Sequence, residues 1–299
     1  MLVLDTLNKT TIWGGTRLQK YGSDPLNPHV GSLYTVAGNE ELTNTVLNGE
    51  FIGMTLYEVY RDNRALFGYD KYEPFPLLIG FVDASDDLSI QLHPSDEYAR
   101  AHENAPFGKT ESWYFLEAPA SGSIANGCLC GSTEELKERV AQGRWDEVID
   151  YLPVKKGEYV YVETGTLHAL RAGSLVYEIQ QSTDVTYRFY DYDRVDKDGN
   201  KRPLQLDKAI ENVDVSKKSA AVPYEDDKDY DERYYSTRKT HIEGSYENQH
   251  DTFVTVTLLS GQMMADGVPA TAGMSLIVLP HERIEFTGAA DVMLSLIHI

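Results

Sequence analysis

The run Leu88-Ser89-Ile90-Gln91-Leu92-His93-Pro94 alternates apolar and polar side chains. On a strand this spacing puts Leu88, Ile90 and Leu92 on one face and Ser89, Gln91 and His93 on the other. A hydroxyl, an amide and an imidazole in one row suit the wall of a polar pocket inside a barrel. An ordinary half-exposed strand with a wet face has the same pattern, so alternation alone leaves both readings open. Lys109 and Glu111 share a face in Lys109-Thr110-Glu111-Ser112-Trp113. Glu111 offers an anionic oxygen to set beside neutral imidazole. Lys109 is a compact cation for a phosphate or a substrate hydroxyl, or else half of a surface ion pair worth little.

His168 follows the apolar stretch Tyr159–Val162 and the turn at Gly165. Glu178 interrupts the run Leu175-Val176-Tyr177-Glu178-Ile179, and a carboxylate buried there needs a partner. Arg188 lies among aromatics in Thr186-Tyr187-Arg188-Phe189-Tyr190. Taken singly, His168 and Arg188 read as structural residues. Taken together, two histidines, a carboxylate and an amide could form a four-ligand site with room for water, a donor set that suits zinc. The ligands are scattered along the chain, so their spacing alone is not diagnostic.

Short strands must position these residues. Runs with strand character cover Leu77–Asp83, Leu88–His93, Ser112–Glu117, Tyr159–Glu163, Leu175–Gln180, Thr186–Tyr192, Thr252–Ser260, Met274–Leu279 and Val292–Ile297. Helical patterns are fewer. One spans about Met54–Leu66. A second starts at Ser132 and Thr133, with Glu134 and Glu135 favouring the N-terminus, and stops at Gly143. A third is expected over Trp145–Leu152, closed by Pro153. The pair reads as a helical insertion, about 132–153, in a β scaffold. Residues 216–235 carry a dense run of charge, Glu225–Arg233, without apolar periodicity, and read as a linker. It separates residues 1–215 from a smaller β domain, 236–299.

Composition sets outer limits. The 299 residues suffice for one large or two medium domains with a substantial core. With 41% hydrophobic and 11% aromatic residues, the chain is a folded globular protein. Twenty tyrosines suit half-buried sheet surfaces and pocket mouths. A net charge of −20 argues against nucleic acid and against an anionic membrane surface as partners. A phosphorylated substrate would need local cations to offset that field. The two cysteines, Cys128 and Cys130, read as free thiols in a reducing compartment. No basic n-region with an apolar h-region opens the chain, so a cytoplasmic location is expected.

Read in order, several segments resemble the type I mannose-6-phosphate isomerases, close to the short bacterial form. They are Ile12-Trp13-Gly14-Gly15, the stretch Phe75–Ala84, Leu88–Ala99, Gly108–Tyr114, Gly165–Ala169 and Gln181–Arg188, with a weak match at Ala272–Pro280. Two positions depart from the family pattern: Gly80 stands where many members carry Lys, and Gly31–Val36 lacks a Trp. These bear on local packing and phosphate contacts rather than on the metal ligands.

The resemblance implies a mainly β fold of two cupin-like, jelly-roll barrels with a small helical insertion, residues 1–215 forming the catalytic part. It places zinc on Gln91, His93, Glu111 and His168. It places Ser89, Lys109 and Arg188 against a sugar phosphate, and Arg188, Glu178 and Lys109 in catalysis. The implied reaction is a zinc-dependent aldose–ketose isomerisation of mannose 6-phosphate and fructose 6-phosphate through a cis-enediol. Two other functions fit the same architecture. A non-catalytic sugar-phosphate-binding cupin paralogue would have lost the metal set or Arg188. A cupin iron dioxygenase would carry a more His-rich set without Gln91. Metal content and turnover distinguish the three.

Overall fold

The computed structural model of the chain describes residues 1–71, 73–195 and 199–298. Its backbone is mainly antiparallel strand, with a few short helices, as the alternating runs predict. Two compact units are present: residues 1–10, 16–81 and 225–299, and residues 11–15 and 82–224.

The first unit is built around three long strands, Tyr235–Glu247, Val254–Ala265 and Arg283–Ile297. Ser275–Val278 pairs with Val254–Thr257, and the N-terminal Leu2–Val3 pairs in turn with Leu276–Ile277. Alternate residues Val254, Val256 and Leu258 meet Leu276, Val278 and Val292 in one core. The helix Leu56–Asp62 begins at a capping box, where Thr55 and Glu58 satisfy each other's backbone N–H groups.

Gly80 has a steric reason to lack a side chain. A Cβ there would come within 2.7 Å of the Leu33 carbonyl oxygen, a backbone atom with no room to retreat. Gly80→Lys is therefore expected to destabilise the protein by about 1–3 kcal/mol, the usual result of forcing atoms into a packed site. Thermal unfolding of the variant measures the loss.

The second unit carries every candidate site residue. One of its sheets runs Tyr187–Tyr190, Ile90–Leu92, His168–Ala169, Ser123–Cys128, Ile149–Pro153 in spatial order. The other orders Ala221–Pro223, Glu158–Val162, Glu111–Glu117 and Leu175–Gln181. Side chains of both sheets, Ile124 and Leu170 from one side and Trp113, Phe115, Val160 and Val176 from the other, share a core, so the sheets face each other. The outer face of the five-stranded sheet is also buried. There Ile90, Leu92, Ala169 and Phe189 pack under Leu136 and Ala209 from the helices Thr133–Ala141 and Leu206–Asn212. With helices covering the apolar face, the polar face of Ile90–Leu92 points inward between the sheets. Alternation could not decide this point.

Three local expectations differ from the structure. The ladder at Leu88–His93 shortens to Ile90–Leu92, because Pro94 has no N–H to donate and ends the pairing. Trp145–Leu152 is not a helix: one 3₁₀ turn, Trp145–Glu147, leads directly into the strand Ile149–Pro153. β-branched Val148 and Ile149 favour extended backbone, and pairing with Ser123–Cys128 supplies the hydrogen bonds a helix would have made. The helices Asp96–His102 and Leu206–Asn212 were not anticipated; each has only one fully buried side chain and so little apolar periodicity.

Candidate active site

Three of the predicted residues converge. One potential ligand atom each of His93, Glu111 and His168 lies within 4.8 Å of the others, and all three side chains are buried. Their origins explain why no local motif announces them. His168 opens its strand in the five-stranded sheet, His93 follows the neighbouring strand, and Glu111 opens a strand of the facing sheet.

Backbone carbonyls orient both imidazoles. His93 Nδ1 lies 3.0 Å from the Val185 oxygen, and His168 Nδ1 lies 2.9 Å from the Thr166 oxygen. A carbonyl can only accept, so each Nδ1 carries a proton, and in the neutral tautomer that this selects Nε2 is the bare nitrogen. Those Nε2 atoms lie 3.5 Å and 3.3 Å from the two Glu111 oxygens. Acceptors therefore face acceptors in a buried space. Lys109 answers half of the problem: Nζ bonds Glu111 Oε2 and stands 3.2 Å from His93 Nε2. Among the described residues, Glu111 Oε1 and His168 Nε2 have no hydrogen-bond partner. Two orphaned lone pairs 3.3 Å apart, one anionic, are what a cation between them would satisfy.

Gln91 joins the same row. It stands opposite His168 on one side and Arg188 on the other, and directly opposed residues project to the same face. Ser89 is buried just before this strand. Arg188 donates from Nη1 to the Pro203 carbonyl at 2.9 Å, while its buried Nε has no partner among the described residues. Glu178 pairs in register with Trp113, whose indole N–H donates to its carboxylate at 2.8 Å. Trp113 is a contact that the sequence reading did not assign. The Val185 and Thr166 carbonyls could not have been found, because main-chain acceptors leave no trace in residue type.

The electrostatics separate the two carboxyls. Burial pushes Glu111 up, but Lys109 and the imidazoles outweigh it and hold it well below the usual range. Glu178 is raised, first by burial and then by the Glu111 charge, against the pull of Lys109 and Trp113. Burial works against the Lys109 ammonium, yet Glu111 and Glu178 together raise its pKa. Arg188 is lowered by burial and by Arg202.

Burial, then Lys109, bring His93 down from 6.5 to about 4. An unfolded imidazole takes up its proton near 6.5, so the unfolded state binds more protons between the two values. Native stability is thus intact above that window and is lost as pH falls through it, by up to about 3 kcal/mol. Thermal unfolding of metal-free protein at successive pH values should show the drop, and His93→Gln should flatten it.

The family model of the phosphomannose isomerase type I catalytic domain matches residues 1–114. The chain is similar to the mannose-6-phosphate isomerase ManA of Bacillus subtilis, at 37% identity over 85% of this chain and 84% of that one. It is similar at 37% identity to the mannose-6-phosphate isomerase of Streptococcus mutans, covering 87% of this chain and 85% of that one. A crystal structure of the Bacillus subtilis mannose 6-phosphate isomerase superposes with a TM-score of 0.83 at 30% identity, over 100% of this chain and 99% of that one. No helix among the described residues is long and apolar enough to cross a membrane.

Proposed function

Since the chain belongs to the type I mannose-6-phosphate isomerase family and is an enzyme of that kind, we propose that it interconverts mannose 6-phosphate and fructose 6-phosphate with zinc held by Gln91, His93, Glu111 and His168. The observation that carries the metal reading is the pair of orphaned acceptors, Glu111 Oε1 and His168 Nε2. A second observation supports it: both imidazoles are locked by Nδ1 to carbonyls, with Nε2 directed at the same carboxylate. Imidazole with carboxylate and amide oxygen suits zinc among the common divalent ions.

The reaction moves a proton from C2 to C1 of the open-chain sugar through a cis-enediol. Bound zinc would supply Lewis-acid polarisation of the sugar oxygens at those carbons. Lys109 and Ser89 hold the substrate against the repulsion of the −20 net charge. Arg188 stabilises the negative charge that grows on oxygen as the C2 proton leaves, at a site where burial makes a fixed cation count for more. Glu178 carries the proton. Its raised pKa brings it nearer neutrality, and the Trp113 N–H fixes its orientation.

We assign the catalytic work to the 1–215 part of the chain, with 236–299 as a smaller β domain, and we place the protein in the cytoplasm. Free thiols at Cys128 and Cys130 fit a reducing compartment. Elemental analysis of the purified protein together with a mannose 6-phosphate to fructose 6-phosphate assay tests the function. Zinc-replete, folded protein without turnover would sink it.

A further inference from the structure

One segment beside the candidate metal centre supplies no ligand of its own. The segment Gln180–Val185 touches both halves of the candidate metal centre. Gln181 is buried, and its side-chain oxygen accepts from Thr110 N at 3.0 Å. Its side-chain nitrogen donates to Asp96 Oδ1 at 2.9 Å, and the same Asp96 oxygen accepts from Gly108 N at 2.8 Å. The main chain repeats the link, with Gln181 N donating to the Thr110 oxygen at 3.2 Å. Both hydrogen-bonded backbone positions flank Lys109, and Thr110 directly precedes Glu111.

The loop they hold is pressed onto the segment carrying His93. Lys109 N donates to the Pro94 oxygen at 3.3 Å. A Cβ at Gly108 would lie only 2.3 Å from that oxygen, so the approach requires glycine. At the other end of Gln180–Val185, the Val185 carbonyl accepts the His93 Nδ1 proton. The turn between is held by its own hydrogen bonds. Gln180 Nε2 donates to the Thr183 oxygen at 2.8 Å, and Val185 N donates to Thr183 Oγ1 at 3.3 Å. One short segment thus sets the position of Glu111 from one sheet and the tautomer of His93 from the other.

We infer that Gln181, acting with Asp96, is a positioning residue that fixes the distance between Glu111 and His93 and so sets the affinity of the metal centre. Its amide is suited to the task because it must accept from one backbone N–H and donate to one carboxylate at once. Neither an ionised Glu nor a hydrophobe can do both. The inference rests on the metal reading proposed above.

The test measures zinc affinity directly, by competition with a chromophoric chelator, on full-length protein. Gln181→Glu keeps the acceptor for Thr110 N but sets a carboxylate against Asp96. It should weaken zinc binding 10–100-fold, the range for partners that orient metal ligands. Gln181→Met, which removes both bonds, should do the same. Asp96→Ala, which removes the oxygen shared by Gln181 Nε2 and Gly108 N, should weaken zinc binding to a similar extent. A residue that served only the fold would change the melting temperature while leaving the affinity of the folded protein alone. If both Gln181 variants fold and bind zinc within threefold of the parent, the inference fails. If the Gln181 variants do not fold, Asp96→Ala decides: its site is only half-buried, and unchanged zinc affinity there overturns the inference. A parent protein that binds no zinc overturns the metal reading and this inference with it.

Discussion

His93→Ala protein is expected to purify folded but without its metal, with kcat/KM lowered by at least about 10³-fold. Removing one electrostatic donor from a preorganised site commonly costs 10²–10³-fold. Here the lost imidazole is one of three buried side chains whose ligand atoms gather within 4.8 Å, so the cation would leave with it. The fold should survive. The ring is deeply buried, but its one backbone bond, to Val185, lies at a loop. Metal content by elemental analysis and activity should fall together. A variant that retains stoichiometric metal would remove His93 from the ligand set.

Arg188→Ala is expected to separate the two properties. kcat should fall by about 10²–10³-fold while metal content stays near that of the parent. Arg188 shares a row with Gln91 and His168, yet among the described residues no hydrogen bond or ion pair joins it to the gathered triad. Its guanidinium is held from outside by the Pro203 carbonyl, and its main chain exchanges bonds with Gln205 in both directions. Arg188→Lys should recover only part of the loss, because an ammonium cannot hold the Pro203 contact and present a second nitrogen to the substrate. Steady-state kinetics with parallel metal analysis is the measurement. Loss of metal in Arg188→Ala would instead make the residue a support of the centre.

Much of this site was legible in residue types. Alternation in Leu88–His93 put Ser89, Gln91 and His93 on one face, and the two-residue spacing put Lys109 beside Glu111, where their side chains do bond. Ser132, followed by acidic residues, marked a helix start, and its hydroxyl accepts from Glu135 N at 3.2 Å. The miss at Trp145–Leu152 shows the limit. That stretch has enough apolar residues for a helix turn, and only the waiting edge of Ser123–Cys128 turns its second half into a strand.

What the sequence determined by itself is therefore local: which side chains share a face, where strands and helix caps begin, and which groups could bind a cation. These follow from chain geometry over a few residues, and from an ordered set of motifs that marks the family. The tertiary structure decided which of two faces is inside. Ile90 and Leu92 could have faced a core with Gln91 and His93 in water. The helices Thr133–Ala141 and Leu206–Asn212 cover the apolar face instead, and that turns the polar one toward the opposite sheet. It also decided the meeting of His168 with Glu111, which belong to different sheets, and the protonation of both rings through the Val185 and Thr166 carbonyls. No pattern along the chain encodes a distance between two sheets, because packing of the intervening core sets it.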